Sequence, residues 1–530
     1  MMTRQDFCRL GGAFALAGRG LAAFADAAAD TRAARTVMPN YWCTWNEQGR
    51  LAAAAGERRE ASAFAGDQGA HQTRDMLNER ILFEKPGWVS EMCGPFRKDL
   101  FLVLDDGWDV PYDSRPRTPE RFGFLEPWPA RFASCGATAL ERLTTICARI
   151  RDAGWQGTGV WVATQRAGDT AGALAPLRPG VADYFRSKLE LSARAGVRYW
   201  KVDWGLRSGN DFRRMVSELA REICPDLIVE HCPIDMRPLN GQEANPDGEA
   251  LLGSGRCEAS PNDADLVERL RFTNVLRTYD VATPFDTITT LDRAVAFSRI
   301  IDAHGLDTRL NVEDDPVIAA VLGHAFGIMR AVRKGRADEL TYRRVANWHR
   351  LAPPFGGREG LATRASEAAI FASHFFRKEE HWYRPTWNRV VRQGAPAVVA
   401  RGTGLPAVKP TGADRPYVLA GRNPSGAMAV GTLPCVRADG TSWTPPAEVT
   451  LAEAPASGAP LAVFGSPAAV HVPFRGRPAR VTAADLADGV AREIPAACSD
   501  GFLHLDAAAL RAACAAHPQG TPGAVFRIYS

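Results

Sequence analysis

Residues 181–205, VADYFRSKLELSARAGVRYWKVDWG, contain the pattern that decides the fold. The first part has the apolar spacing of an amphipathic helix. The second part, VRYWKV, is a nearly continuous apolar and aromatic run, which is typical of a strand that is buried on both faces. The stretch therefore predicts a helix that leads directly into a buried strand, the repeating unit of parallel α/β proteins.

The same order of helix and strand recurs along the chain. TALERLTTICARIRDAGW leads to GTGVWVAT, DFRRMVSELAREICPD leads to LIVEHCP, and LDRAVAFSRIIDAHG leads to LDTRLNVEDD. About seven such units lie between residues 37 and 340, which favours a (β/α)8 barrel whose eighth unit is poorly marked. A doubly wound sheet is the alternative, but no GxGxxG motif follows the first strand.

The composition changes near residue 395. From there the chain is rich in proline, glycine and valine, with short apolar runs separated by turn sequences such as NPSG, as in an antiparallel β domain. We therefore predict an export-signal-like leader over residues 1–30, a catalytic barrel over 31–390 and a C-terminal antiparallel β-sandwich over 391–530.

Composition excludes several classes of protein. The 530 residues carry a net charge of +4, with 46% hydrophobic and 23% charged residues, as in an ordinary soluble globular protein. No basic run or nucleic-acid-binding signature is found, so a nucleic acid partner is not expected. The 11 cysteines show neither CxxC pairs nor zinc spacing, which argues against a disulfide framework and a structural zinc site.

The first 30 residues resemble a secretory leader. They are basic, then small and apolar, and then alanine-rich, and TRQDFCRLGG is similar to a degenerate twin-arginine signal with Gln5 in place of the second arginine. We expect export to the periplasm or the medium. No apolar run reaches the roughly 18 residues that span a bilayer.

Acidic and aromatic residues recur where the predicted strands end, the edge at which barrel enzymes carry their functional groups. Each has an ordinary explanation, because aspartate caps helices and tryptophan packs against barrel rims; their recurrence at several strand ends favours a site. They are Trp45; Asp105, Asp106 and Trp108; Trp161; Lys201, Asp203 and Trp204; Glu230 and Cys232; Arg277 and Asp280; and Glu313, Asp314 and Asp315.

This combination suits carbohydrate chemistry. Aromatic faces stack on sugar rings, and carboxylates accept hydrogen bonds from vicinal hydroxyls. Glycoside cleavage needs one ionised carboxylate and one protonated carboxyl group. Lys201 and Asp203 are two residues apart, so their side chains leave the same face of a strand, and the lysine would keep the carboxylate ionised.

Three motifs carry a family resemblance. VLDDGW, YWKVDWG and VLRTYDV, on predicted strands 2, 4 and 6, together resemble the clan-D α-galactosidase superfamily, glycoside hydrolase families 27 and 36. The resemblance covers residues 37–330 and implies a retaining exo-glycosidase on a (β/α)8 barrel, with a carbohydrate substrate and neither cofactor nor metal. It leaves the sugar open between galactose, N-acetylgalactosamine and L-arabinopyranose, and it does not define the oligomeric state.

The resemblance also implies residue roles. Asp203 corresponds to the nucleophile and Asp280 to the acid/base. The implied substrate-binding residues are Trp45, Asp105, Asp106, Trp108, Lys201 and Arg277. We expect Trp45 and Trp108 to form the sugar platform, and Trp161, Glu230, Cys232 and the VEDD carboxylates to line the pocket or cap strand ends.

Two departures from the family pattern bear on these roles. Arg277 and Asp280 are three residues apart rather than four, so Asp286 or Asp263 is an alternative acid. VEHCPID has the cysteine of the family 36 pattern at Cys232 but not its glycine pair, which affects recognition at the sugar 2-position.

Three other functions remain open from the sequence. Asp203, Glu230 and Glu258 are nearly evenly spaced, as are the three magnesium ligands of enolase-like barrels. Lys201 is a candidate Schiff-base lysine, although a carboxylate two residues away opposes its nucleophilicity. A carbohydrate-binding barrel without a catalytic acid is the third.

Overall fold

The computed structural model describes residues 37–54, 70–114, 121–170, 177–206, 209–232, 264–278, 286–378, 388–436 and 442–530. The leader predicted over residues 1–30 lies outside this part of the chain.

A parallel β-barrel forms the first domain. Within the described residues it has eight strands: β1 to β7 pair with their neighbours in sequence order, and β8 pairs with β1. The strands are β1 (Tyr41–Cys43), β2 (Phe101–Leu104), β3 (Gly157–Val162), β4 (Val197–Val202), β5 (Ile228–His231), β6 (Val275–Arg277), β7 (Arg309–Asn311) and β8 (Gly327–Ile328).

Backbone contacts just before β8 close the barrel. The Ala325 amide donates to the Leu310 carbonyl at 2.8 Å, and the Val312 amide donates to the Ala325 carbonyl at 3.0 Å. The predicted (β/α)8 fold is therefore confirmed, and the doubly wound alternative is wrong. The eighth unit is weak in sequence because β8 is only two residues long.

Helices connect the strands and cover the outside of the barrel. They are α1 (Trp45–Ala54), α2 (Ala70–Asp75), α3 (Glu79–Phe83), α4 (Trp88–Glu91), α5 (Ala139–Asp152), α6 (Val181–Ala195), α7 (Asn210–Ile223), α8 (Ala264–Phe272), α9 (Asp286–Ala303), α10 (Pro316–Leu322) and α11 (Ala337–Leu351), with 3₁₀ turns at Arg97–Asp99 and Ala133–Cys135. Local signals set their ends. Thr138 and Glu141 form a capping box at α5, and Gly196, with φ of 89°, ends α6 and directs the chain into β4.

Side chains alternate between the barrel interior and the helix layer. Tyr41, Val103 and Tyr199 lie in an interior cluster, whereas Trp42 and Trp200 pack outward against the helices. Glycine makes room for one of the interior rings, because a Cβ atom at residue 327 would lie 2.6 Å from the Tyr41 ring. The barrel interior therefore has room for the aromatic side chains of Tyr41 and Tyr199.

A β-sandwich forms the second domain. Its strands are β9 (Thr363–Ala365), β10 (Ala369–Lys378), β11 (Asn388–Pro396), β12 (Val398–Arg401), β13 (Ala407–Pro410), β14 (Tyr417–Arg422), β15 (Met428–Leu433), β16 (Cys435–Val436), β17 (Ser442–Trp443), β18 (Ala447–Thr450), β19 (Pro460–Phe464), β20 (Ala469–Pro473), β21 (Arg480–Asp485), β22 (Arg492–Glu493), β23 (Ala497–Ser499), β24 (Phe502–Asp506) and β25 (Gly523–Tyr529), with helix α12 (Ala507–Ala513). A second apolar core lies between its two larger sheets, with Val430 and Phe526 from one and Val470 and Leu503 from the other.

Two features of this domain differ from the sequence prediction. The boundary lies earlier than residue 390, because β9 already pairs with β12 of the sandwich. The sheets are mostly antiparallel, but β12–β14, β15–β19 and β18–β20 pair in parallel. The NPSG turn is where the sequence places it, between the antiparallel strands β14 and β15.

Buried ion pairs join the two domains. Arg344 of α11 binds both carboxylate oxygens of Asp485 at 2.8 Å and also donates to the carbonyls of His517, Gln519 and Thr521. Arg401 of β12 pairs with Asp302 of α9 at 2.9 Å. Within the interface, the Asp485 carboxylate thus balances the charge of Arg344, and carbonyl oxygens accept hydrogen bonds from its remaining N–H groups.

The described helices include none that is long and apolar enough to cross a membrane. The described cysteines are free thiols.

Replacing Arg344 with alanine should destabilise the protein by about 3–5 kcal/mol, because the Asp485 carboxylate would stay buried without its guanidinium partner. Urea unfolding followed by circular dichroism measures the change. The double variant Arg344→Met, Asp485→Leu is the matched control and should lose less, because it leaves no unpaired charge. A single variant as stable as wild type would contradict this account of the interface.

Candidate active site

The carboxyl ends of the strands bring a group of charged side chains together inside the barrel. Lys201 is the penultimate residue of β4 and Asp203 follows its last residue. The Asp203 amide donates to the Val162 carbonyl at 3.0 Å, which continues the β3–β4 ladder to this residue. Lys201 and Asp203 therefore face inward on one side of the strand, as their spacing predicts.

Asp203 is buried and hydrogen-bonded on both oxygens. Arg277 Nη2 donates to Oδ1 at 2.6 Å, and Trp161 Nε1 donates to Oδ2 at 3.0 Å. The Cys232 thiol lies 3.6 Å from Oδ1. Three of the predicted site residues thus contact the predicted nucleophile directly.

These contacts hold Asp203 in its ionised form. Burial by itself would raise the pKa of Asp203, but the charges of Arg277 and Lys201 and the Trp161 hydrogen bond lower it below the usual aspartate value. The ion pairs of Asp203 therefore stabilise the folded state at pH values above the usual aspartate pKa. That stabilisation is lost as the pH falls through the lowered pKa of Asp203. At neutral pH Asp203 is an anion.

Lys201 has a different primary partner from the one its spacing suggests. Its Nζ atom lies 3.0 Å from Asp105 Oδ2 and 3.7 Å from Glu313 Oε1. Burial opposes its charge, but the nearby anions, Asp105 first, raise the pKa of Lys201 well above its usual value. Lys201 thus acts on Asp203 through space, and Arg277 makes the direct ion pair.

The two aspartates of VLDDGW are directed apart. Asp105 accepts from Lys201 and from the Cys43 thiol, the latter at 2.8 Å. Asp106 is paired with Arg74 of α2 at 2.7 Å. Burial raises the pKa of Asp106 to about 7, although Arg74 acts in the opposite direction. Of the two carboxylates, Asp105 pairs with Lys201 and Asp106 pairs with Arg74. They therefore do not form one binding pair.

The tryptophans are arranged differently from the expected sugar platform. Trp108 is 1% exposed and its indole nitrogen donates to the Trp161 carbonyl at 2.8 Å. Trp204 packs edge-on against Trp161, with ring centroids 5.9 Å apart. Trp45 is partly exposed at the start of α1. Of the two expected platform residues, the ring of Trp108 is enclosed by the protein and only Trp45 has accessible surface.

Glu230 is buried and hydrogen-bonded to other interior side chains. Its Oε2 atom accepts hydrogen bonds from Tyr199 and Asn311, each at 2.7 Å, and its Oε1 atom lies 3.3 Å from the Tyr41 hydroxyl. The Tyr41 hydroxyl also contacts Glu313. Of the VEDD carboxylates, Glu313 belongs to this interior layer. Asp314 instead bonds Tyr342, and Asp315 precedes α10.

An arginine that the sequence analysis did not identify supports the turn after β4. Arg213 of α7 donates to the carbonyls of Asp203 and Val202, at 2.6 and 3.0 Å, and contacts His231. Nothing in its helical sequence context distinguishes it from a surface arginine. Tyr41 and Tyr199 do have a signal, because each lies two residues before an inward-facing residue on its strand.

Several predicted residues cannot be placed. Asp280, its alternative Asp263, and Glu258 lie outside the described residues, and Asp286 begins α9 without a described side chain. The distance from Asp203 to the acid therefore stays a prediction. Within the described ranges, no three or more histidine, cysteine, aspartate and glutamate side chains are arranged to hold a metal ion.

Comparison with known proteins gives weak likenesses. The sequence matches no family model and no curated protein. Among solved structures, it is similar to a family 27 β-L-arabinopyranosidase from Geobacillus stearothermophilus, with 10% identity over 93% of this chain and 97% of that one and a TM-score of 0.40. It is also similar to an Anoxybacillus α-amylase, with 8% identity over 94% of this chain and 99% of that one and a TM-score of 0.38. Because both TM-scores are below 0.5, the fold is assigned from the strand pairing described above.

Replacing Arg277 with methionine should raise the pKa of Asp203, because burial would then be opposed by one cation fewer. Titration of ¹³C-carboxyl-labelled aspartate by NMR, with Asp203→Asn to assign the resonance, measures the shift. Arg74→Met is the matched control: it removes the guanidinium beside Asp106 and should leave Asp203 unchanged. An unchanged midpoint in Arg277→Met would contradict the assigned ion pair.

Proposed function

We propose that the protein is a retaining exo-glycoside hydrolase that removes terminal α-galactosyl-type residues. The observation that carries this proposal is the Asp203 carboxylate, buried and held ionised by Arg277 at the carboxyl end of a barrel strand. The resemblance of VLDDGW, YWKVDWG and VLRTYDV to the clan-D α-galactosidases supports the choice of substrate class.

The proposed mechanism is a double displacement in which Asp203 is the nucleophile and Asp280 the acid/base. Asp203 attacks C1 of the sugar, and the leaving oxygen takes a proton from Asp280, which gives a covalent glycosyl–enzyme and a free alcohol. Asp280 then removes a proton from water, and the water displaces Asp203 with a second inversion. Retention requires the two carboxyl groups to lie roughly 5–5.5 Å apart.

Arg277 and Trp161 have a second role in this scheme. Each donates a hydrogen bond to a carboxylate oxygen of Asp203, so they orient the carboxylate toward C1 and stabilise it as a leaving group when the intermediate breaks down. Lys201 and Asp105 form a donor and acceptor pair at 3.0 Å. Such a pair can bind adjacent sugar hydroxyls, one as donor and one as acceptor.

The proposed location of the enzyme is outside the cytoplasm. The support is the leader-like composition of residues 1–30 and its similarity to a twin-arginine signal. A periplasmic or extracellular glycosidase would meet oligosaccharides and glycosides directly.

Replacing Asp203 with alanine should abolish turnover while leaving the fold intact, because no other group then attacks C1. The assay uses aryl α-galactoside, α-N-acetylgalactosaminide and β-L-arabinopyranoside, with NMR of the first-formed anomer to test retention. Asp99→Ala is the control. It removes another buried aspartate that pairs with an arginine, Arg350, at the opposite end of β2, and should keep activity.

Near-normal activity of Asp203→Ala would reject the assigned nucleophile. Wild-type activity that requires a divalent cation and is lost with EDTA would favour the enolase-like alternative. Binding of these sugars without turnover would favour a carbohydrate-binding barrel. Trapping of a carbonyl compound on Lys201 by borohydride would favour a function in which Lys201 forms a Schiff base.

Replacing Asp280 with alanine should remove activity on alkyl glycosides much more than on dinitrophenyl glycosides, because a good leaving group does not need protonation. With dinitrophenyl glycosides, formation of the glycosyl–enzyme should therefore continue in Asp280→Ala. Added azide should speed the breakdown of that intermediate, because azide attacks C1 without needing a general base. Asp286→Ala and Asp263→Ala are the matched comparisons. If either shows this pattern and Asp280→Ala does not, that residue is the acid.

A further inference from the structure

A cluster of polar side chains lies inside the barrel near Lys201 and Arg277, and the scheme above does not use it. It consists of Tyr41, Tyr199, Glu230, Asn311 and Glu313, from β1, β4, β5 and β7 and the turn after β7. All five are buried: Tyr41, Tyr199 and Asn311 are 0% exposed, and Glu230 and Glu313 are 1% and 3% exposed. Burying two carboxyl groups so close together is costly unless their charges are paired or neutralised.

The Tyr41 hydroxyl bridges the two glutamates. It lies 3.3 Å from Glu230 Oε1 and also contacts Glu313 Oε1. A tyrosine hydroxyl has one proton to donate, and its oxygen can accept another. It can therefore satisfy two carboxyl groups if one is an ionised acceptor and the other a protonated donor.

The surrounding groups indicate which glutamate is protonated. Glu313 Oε1 lies 3.5 Å from Arg277 Nη1 and 3.7 Å from Lys201 Nζ, and both cations favour its ionised form. Glu230 is farther from the cations, with its Oε1 atom 4.0 Å from Arg277 Nε. Because Glu230 Oε2 already accepts from Tyr199 and Asn311, the proton belongs on Oε1, which faces Tyr41.

Charge balance leads to the same assignment. Among the described residues, the ion pairs of this cluster join four carboxyl groups, those of Asp105, Asp203, Glu230 and Glu313, to two cations, Lys201 and Arg277. Four buried anions around two cations would be costly. Burial also raises the pKa of Glu230 above its usual value, more than Arg277 and Lys201 lower it.

We propose that Glu230 is protonated at neutral pH and that the chain Glu230–Tyr41–Glu313 positions Lys201 and Arg277 beneath the substrate. A neutral Glu230 leaves Arg277 shared between Asp203 and Glu313, whereas an ionised Glu230 would compete for it. Glu313 is thus a positioning residue that acts on the nucleophile through Arg277. This part of the proposal rests on the proposed function, while the protonation of Glu230 does not.

The proton can be observed without any assay of activity. Infrared spectroscopy at pH 7 should show a protonated-carboxyl band that shifts when the protein is labelled with ¹³C at the glutamate side-chain carboxyl. The label distinguishes glutamate from buried aspartates such as Asp106. Glu230→Gln should abolish the band and Glu313→Gln should retain it. Absence of a label-sensitive band in the wild-type protein would overturn the proposal even if no variant folds.

Activity distinguishes the two glutamates. In Glu230→Gln the amide takes the place of the carboxylic acid and can still donate to Tyr41, so kcat/KM should stay close to wild type. Glu313→Gln removes the anion that anchors both cations and should lower kcat/KM by about 100-fold, the scale of a misplaced reacting group. It should also move the acidic limb of the kcat/KM profile to lower pH, because Asp203 then loses a neighbouring anion.

Equal losses of activity in Glu230→Gln and Glu313→Gln would overturn the assignment, since both carboxyl groups would then act as anions. An acidic limb that stays in place in Glu313→Gln would reduce Glu313 to a structural role and overturn the positioning claim. If the wild-type protein hydrolyses no glycoside, the proposed function fails, and the infrared result still decides the protonation of Glu230.

Discussion

Lys201 and Arg277 are buried inside the barrel, and the carboxylates around them are what make that burial tolerable. Asp105, Asp203 and Glu313 each lie within 4 Å of one or both cations. Removing Lys201 would leave Asp105 buried without its closest cation, and removing Arg277 would do the same to Asp203. Each such loss costs several kcal/mol. The strand ends are therefore coupled electrostatically, and the nucleophile proposed here is one member of a network that spans strands β2, β4 and β6 and the turn after β7.

The barrel geometry creates this network by alternation. Inward side chains recur at every second residue of a strand, so Tyr199 is the next inward residue before Lys201 on β4. Its ring packs edge-on against Tyr41, with ring centroids 5.4 Å apart. Glycine at residue 327 leaves the space that the Tyr41 ring fills. Tyr41 and Tyr199 in turn supply hydroxyl groups that bond to the interior carboxyl groups of Glu230 and Glu313. Packing and electrostatics thus depend on the same few positions.

The second domain supports the site from outside. Helix α10 follows the turn that carries Glu313, and it packs against the sandwich so closely that a Cβ atom at Gly421 would lie 1.8 Å from the Val321 carbonyl oxygen. The ion pairs of Arg344 with Asp485 and of Arg401 with Asp302 fix the same interface. The sandwich therefore packs directly against the helix that follows Glu313.

Much of the fold could be predicted from local sequence. The helix and strand of residues 181–205 form as expected, because apolar spacing and a glycine helix end act over a few residues. Strand β8 and the domain boundary could not be located, since a two-residue strand has no periodicity and β9 is defined only by its pairing with β12.

The sequence by itself determined which residues stand at the strand ends and that Lys201 and Asp203 share a face, because both follow from a two-residue repeat. Tertiary structure alone decided the partners: Arg277 rather than Lys201 for Asp203, Arg74 for Asp106, and Tyr41 between Glu230 and Glu313. These contacts join residues from 32 to 272 positions apart, and they depend on which strands are neighbours and how each side chain turns. No local pattern contains that information.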